Sequence, residues 1–301
     1  MSTNRASLIT KTHKVLKKHY QATTPPSDRT LFENLMYACC LENSPVEPAD
    51  EAFAKLQEVF FDWNEVRVTT ISELSEIMSS LNRASEAATR LRRVLHSVFE
   101  TFYSFGDELE LLKKENIGTA VKKLEKLDGM TPFCVSYVVQ TSLGGHSIGV
   151  SEGVLQTLYV VGIISEKEAK KRQAPGLERA IPKTKGIEFA SLLHQLGADL
   201  VGSPHSTRVR NILLEIAPDA KERLPKRTTK KVAADKSSAR KVQPKKAREK
   251  TAAAKKAPAK KKVAAKPAKK KKAAPQPKKK AKAGASKKKS PTKRLARKKP
   301  R

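Results

Sequence analysis

Apolar residues recur three and four positions apart through most of the first 218 residues, and no stretch alternates apolar with polar as a half-buried strand would. In "SDRTLFENLMYACCLE" this spacing puts Leu31, Leu35, Ala38 and Cys39 on one helix face, with Ser27 or Asp28 as the N-cap. It predicts further helices over 49–61, 70–80 (capped near Thr70 or Ser72), 84–103, 117–127, 132–142, 151–162, 185–199 and 204–216. Three interruptions punctuate the series. "LDGMTP" (127–132) reads as a tight hairpin between two helices, "LGGHSIGVSEG" (143–153) as a glycine-rich connection, and "LGADLVGSPHS" (196–206) as a break with Pro204 opening the next helix. The fold class implied is all-α.

The helical pattern stops at about Pro218 to Pro225. Beyond it, bulky apolar residues are reduced to Val232, Val242, Val263 and Leu295, so burial cannot offset the entropy of ordering that segment. The chain therefore divides into a folded part, 1–225, and a Lys/Ala/Pro tail, 226–301, expected to be disordered in isolation. Charge divides at the same place. Residues 1–225 carry 28 Lys and Arg against 28 Asp and Glu, whereas the tail carries 34 against 2, so the whole net charge of +32 lies in the tail. A flexible chain of that charge displaces counterions from DNA or RNA and binds with strong salt dependence and no sequence preference.

Several classes are disfavoured. The three cysteines, Cys39, Cys40 and Cys134, are no disulfide framework and suit a reducing compartment. The first twenty residues lack the apolar centre of a signal peptide, and no apolar run reaches membrane-spanning length. The expected setting is intracellular: bacterial cytoplasm or nucleoid, or a eukaryotic nucleus. His146, His194 and His205 have no metal-ligand spacing with Cys or carboxylates, and Cys39 and Cys40 read as core packing.

At "KLDGMTPFCVSYV" the chain resembles the helix–hairpin–helix of the endonuclease III-like DNA glycosylases, whose pattern there is Leu-Pro-Gly-Val-Gly-x-Lys-Thr-Ala. Leu127, Gly129 and Met130 match, Asp128 replaces the proline and Thr131 the second glycine. Such hairpins direct backbone N–H groups at a DNA phosphate, which the resemblance carries to Gly129, Met130 and Thr131. Upstream, "LFENLMYACCLENSPVEPADEAFAKL" places Asn43 where the family usually has a glutamine that enters the DNA. Downstream, "GGHSIGVSEGVLQTLYVVGI" resembles the segment ending Val-Asp-Thr-His-Val and the helix after it, with Val150, Val154 and Gly162 in place. The likeness spans roughly Leu16 to Pro218 and implies two lobes, one of about 31–145, the other of about 7–30 with 148–218.

In that family a Lys attacks the sugar C1′ and an Asp eighteen positions later stabilises the developing charge. The spacing survives here, but the two positions hold Phe133 and Ser151. Phenylalanine has no amine, and serine no charge at neutral pH. Glu152 is a carboxylate one residue late, turned about 100° by the helical step, while Ser151 reads as the N-cap of the helix that follows. No Cys follows Cys134, so no iron–sulfur cluster is expected, nor any other cofactor. "LHQLGADLVGSPHSTRVRNILLEIAPDA" closes instead with Val209, Ile212, Leu213 and Ile216 on one apolar face.

The tail resembles those of linker histones and nucleoid proteins, with Lys266, Lys269, Lys270, Lys278, Lys279 and Lys280 in clusters spaced by Ala and Pro. "SPTK" at 290–293, followed by Arg294, resembles the unit associated with minor-groove contact and adds Lys293 to the DNA-binding set. The expectation is a double-stranded DNA-binding protein, RNA being a second candidate partner, built on a glycosylase scaffold without lyase or glycosylase activity. Two alternatives stand beside it: an active glycosylase with a relocated carboxylate, and a nucleoid-compacting, linker-histone-like protein whose folded part binds a partner.

Overall fold

A computed structural model describes residues 2–225; the cationic tail positions named above lie outside the described residues. Among the described residues all regular structure is helical. The chain runs through α1 (Ser2–His19), α2 (Leu31–Leu41), α3 (Val46–Val59), α4 (Trp63–Val68), α5 (Ile71–Ile77), α6 (Ala84–Phe102) and α7 (Asp107–Glu110). It continues through α8 (Ile117–Glu125), α9 (Pro132–Thr141), α10 (Glu152–Val160), α11 (Glu166–Lys170), α12 (Leu177–Ala180), α13 (Gly186–Gly202) and α14 (Thr207–Ile216).

Several helix starts follow capping chemistry, with two corrections to the sequence reading. The cap of α2 is Thr30, not Ser27 or Asp28; its hydroxyl accepts from the Glu33 N–H while the Glu33 carboxylate accepts from the Thr30 N–H. Thr70 forms the same box with Glu73 at the start of α5. Ser151 caps α10 as expected, accepting from the Val154 N–H at 3.3 Å. The expected break at 196–206 is later than read: α13 continues through Gly197 to Gly202, and α14 opens at Thr207 rather than at Pro204. Gly197 there is a packing residue. A Cβ on Gly153 would collide with the Gly197 carbonyl, so the two glycines let α10 and α13 approach to backbone contact.

The buried apolar side chains fall into two clusters. One spans Leu31 to Val139 and contains Cys39, Cys40 and Cys134; the other joins Ile9, Val15 and Leu16 of α1 to residues from Ile148 to Ala220, including Val209, Ile212, Leu213 and Ile216 of α14. The N-terminal helix therefore packs with the C-terminal helices.

A polar seam joins the clusters, centred on the turn Glu42–Pro45 after α2. The Asn43 side-chain oxygen accepts from the Gly153 N–H at 3.0 Å, and the Asn82 side-chain amide donates to the carbonyls of Asn43 and Ala198 at 2.9 and 3.0 Å. His194 Nε2 lies 2.9 Å from the Ser44 carbonyl. Buried polar groups need such partners, so these contacts fix how the clusters meet.

Candidate functional site

The hairpin between α8 and α9 is built from local constraints. Met130 donates its N–H to the Leu127 carbonyl at 3.2 Å, and Gly129 has φ +85°, a left-handed turn that favours glycine. The turn sits directly against α6, where a Cβ on Gly129 would come within 2.8 Å of the Arg93 Cβ. Thr131 has φ −108°, so its position makes no demand for glycine. Its hydroxyl turns inward, accepting from the Cys134 N–H at 3.1 Å and donating to Glu42 Oε2 at 2.9 Å. Glu42 in turn pairs with the half-buried Arg90 at 3.1 Å, and Arg90 also donates to the Cys39 carbonyl at 3.0 Å. The hairpin is thus tied to α2 and α6 through a largely buried ion pair.

Cations near the hairpin meet carboxylates of the protein itself. Arg93 donates to Asp128 at 2.8 Å, and that bond, aided by the Gly129 N–H, holds the exposed Asp128 carboxyl below its ordinary range. Arg83 pairs with Glu152 at 2.7 Å and with Glu86 at 3.3 Å. Beside the hairpin a cleft of 310 Å³ is lined by Thr89, Arg90, Arg93, Gly129 and Thr131 among others. Asp128, standing where the resemblance has a proline, therefore occupies Arg93 and the Gly129 N–H.

The residues singled out in the sequence divide between two places. Gly129, Met130 and Thr131 are half-buried at the hairpin. Asn43 is buried at 4% exposure, and its amide oxygen is committed to Gly153 in the seam, where the resemblance had it entering DNA. Ser151 is also buried and serves as a cap. Glu152 points to Arg83, whose hydrogen bonds hold its carboxyl below the usual range and reduce its value as a base.

Phe133 is 3% exposed, and its ring stacks on His194 with centroids 5.2 Å apart and planes at 29°. It forms part of the wall of a 340 Å³ cavity at the junction of the two clusters, with Tyr37, Leu41 and Tyr137 from one, Ala190 and His194 from the helix opposite, and Thr23–Pro26 between α1 and α2. Asp50 is the carboxylate of this wall, paired with Arg29 at 3.3 Å; the Arg29 guanidinium lies 3.9 Å over the Tyr37 ring. Burial drives the Tyr37 and Tyr137 hydroxyls well above the ordinary phenol range, so both remain protonated donors. Sequence reasoning did not single out Asp50, Tyr37 or Tyr137, because helical spacing accounts for them as ordinary core or surface positions.

All three cysteines are buried. Burial raises the Cys40 thiol to about 12, and a hydrogen bond with Cys134 followed by burial raises Cys39. Among the described residues no cluster of His, Cys, Asp and Glu could hold a metal ion, and no helix is long and apolar enough to cross a membrane.

The molecule thus defined is an all-helical protein with two cores, a glycine hairpin and an aromatic cavity at their junction. It is similar to a solved structure of a trapped endonuclease III–DNA covalent intermediate, an estranged-adenine complex, at 14% identity over 75% of this chain and 99% of that one, with a TM-score of 0.46. It is similar also to a thermostable thymine-DNA glycosylase, at 11% identity over 74% of this chain and 100% of that one, with a TM-score of 0.46. No family model and no curated protein sequence matches the chain.

Proposed function

We propose that this protein binds double-stranded DNA, receives an extrahelical base in the cavity beside Phe133, and forms no Schiff base with the sugar. The observation that carries the reading is the use made of the two positions where the resemblance expects a lysine and an aspartate. Phe133 is part of the cavity wall and Ser151 is a buried helix cap, so both serve structure and neither offers an amine or a charge. An aromatic-walled cavity with a few polar groups suits a planar ring, and extrusion costs least at mispaired or damaged sites.

The two parts of the chain divide the work. The tail supplies affinity through phosphate neutralisation, whereas residues 1–225, with no net charge, supply preference for DNA that yields a base. This suits an intracellular protein of a nucleoid or nucleus. The test is a salt titration of full-length protein and residues 1–225 on straight and on mismatched duplexes. Full-length protein should lose affinity steeply, with a log–log slope of about −0.9 per phosphate neutralised. Residues 1–225 should bind weakly, with a flatter slope and a preference for mismatched DNA. Equal slopes would refute the division of labour; no preference for mismatches would favour a folded part that binds a protein partner.

One observation favours the rival reading of an active glycosylase. Asp50 is a carboxylate on the cavity wall, better placed than Glu152 to act on a ring held there. Excision of a base by the unmodified protein that disappears in Asp50→Asn would establish that reading.

A further inference from the structure

Charge within residues 1–225 cancels in total but not locally. Residues 31–145, which build the first core, carry 11 Lys and Arg against 18 Asp and Glu, whereas the rest of 1–225, which builds the second, carries 17 against 10. The negative charge gathers on one surface. Residues 46–77, spanning α3, α4 and α5, hold eight carboxylate residues, all exposed, against only Lys55 and Arg67. The same segment carries exposed apolar side chains: Phe61 at 94%, Val68 at 63% and Val59 at 58%. A ring so exposed adds nothing to a core, and apolar groups with a polar rim are what protein contacts use as anchors.

The carboxylates decide what can cover these side chains. Glu58, Asp62 and Glu65 stand among them in the chain, so the phosphates of DNA or of a lipid surface are repelled and a cationic protein face is favoured. The second core carries such a face. α1 has five Lys and Arg and no carboxylate, and residues 165–185 have seven against three. Arg5 joins the two, donating to Glu168 at 2.9 Å and to the Pro175 carbonyl at 3.4 Å. Lys17, Lys18 and Lys170 meet carboxylates of the protein itself. Lys14, Lys171 and Lys183 are exposed and form no ion pair among the described residues.

We infer that the α3–α5 surface of one copy docks on the face formed by α1 and residues 165–185 of a second copy on the same DNA, with Phe61 as the apolar anchor. Because the two faces differ, the contact can repeat along a duplex. The tail brings the contact within reach, since binding of several copies to one duplex raises their effective concentration while phosphates offset the charge that sets copy against copy. This inference rests on the reading that the protein binds duplex DNA, and adds to it a partner and cooperativity.

The test measures the affinity per site of full-length protein for a short duplex that holds one copy and for a longer one that holds several. A contact between neighbours should make binding about tenfold tighter on the longer duplex. Phe61→Ser should reduce that advantage and leave binding to the short duplex unchanged. Glu58→Lys with Glu76→Lys reverses part of one face, and Lys14→Glu with Lys183→Glu reverses part of the other; all four positions are exposed. Each double variant alone should lose the advantage, and an equimolar mixture of the two should regain it, because each presents the sign that the other lacks. A mixture without recovery would overturn the contact. An advantage lost only in the acidic-face variant would overturn it in favour of docking by other cations, the tail of a neighbouring copy included. A basic-face variant that binds both duplexes more weakly but keeps the advantage would overturn it in favour of a DNA surface at α1 and 165–185. Equal affinity of the unmodified protein for both duplexes would sink the contact and leave DNA binding standing, whereas failure to bind either would sink both.

Discussion

The side-chain oxygen of Asn43 accepts the Gly153 N–H at 3.0 Å across the seam between the two cores, from a backbone held at φ +65°. One residue therefore meets two demands: it satisfies a buried amide on α10, and it adopts a left-handed turn that asparagine tolerates better than most side chains.

Asn43→Ala should accordingly destabilise the folded part twice over. Loss of the acceptor leaves a buried N–H unpaired at about 1–3 kcal/mol, and alanine in the left-handed region adds about 1–2 kcal/mol. Asn43→Gly removes only the first contribution's partner and relieves the second, so it should fall between wild type and alanine in urea unfolding. Equal losses in the two variants would show that the backbone conformation carries no cost.

Borohydride trapping on DNA with an abasic site should give no adduct at a unique lysine within residues 1–225. Tail lysines, being numerous amines on a long chain, should give only scattered low-level adducts. A single modified lysine in the folded part, located by peptide mapping, would contradict the reading of Phe133 as a wall residue without a catalytic substitute.

Asp128→Asn should strengthen DNA binding by residues 1–225. The substitution keeps size but frees Arg93 and the Gly129 N–H from an anion that competes with phosphate. One additional neutralised phosphate steepens the log affinity against log salt slope by about 0.9. An unchanged slope would place Arg93 outside the interface.

His194 makes stability depend on pH in a defined direction. Its folded pKa is lowered by burial to about 4 from the ordinary 6.5, so between these values the unfolded chain binds more protons than the folded one. The contribution is fully present above pH 6.5, declines as pH falls, and is lost by pH 4, for a total of about 3 kcal/mol. Urea unfolding of wild type and His194→Gln at pH 7 and 4.5 checks it. The variant should lose less stability between the two pH values, whatever its stability at pH 7.

Much of this molecule could be read from short stretches of chain. The helical spacing, the hairpin glycine, the Ser151 cap and the apolar face of the last helix all depend on contacts within a few residues, where periodicity and capping chemistry are local. The same local evidence misread Gly197 as a break, because a glycine in a helix looks like an interruption until its partner is known. The resemblance put Asn43 at the DNA, and nothing near it in sequence reveals Gly153, 110 residues away.

The amino-acid sequence by itself determined the all-helical class, the concentration of charge in the last quarter, and the presence of Phe133 and Ser151 at the two positions where the resemblance has an amine and a carboxylate. Only the tertiary structure decided what those two residues do. Phe133 meets His194 because α9 and α13, distant in the chain, pack across the junction of two cores; Asp128 quenches Arg93 because the hairpin lies on α6. The cavity and the neutralised arginines exist through long-range packing and charge pairing, which the order of residues along the chain does not display.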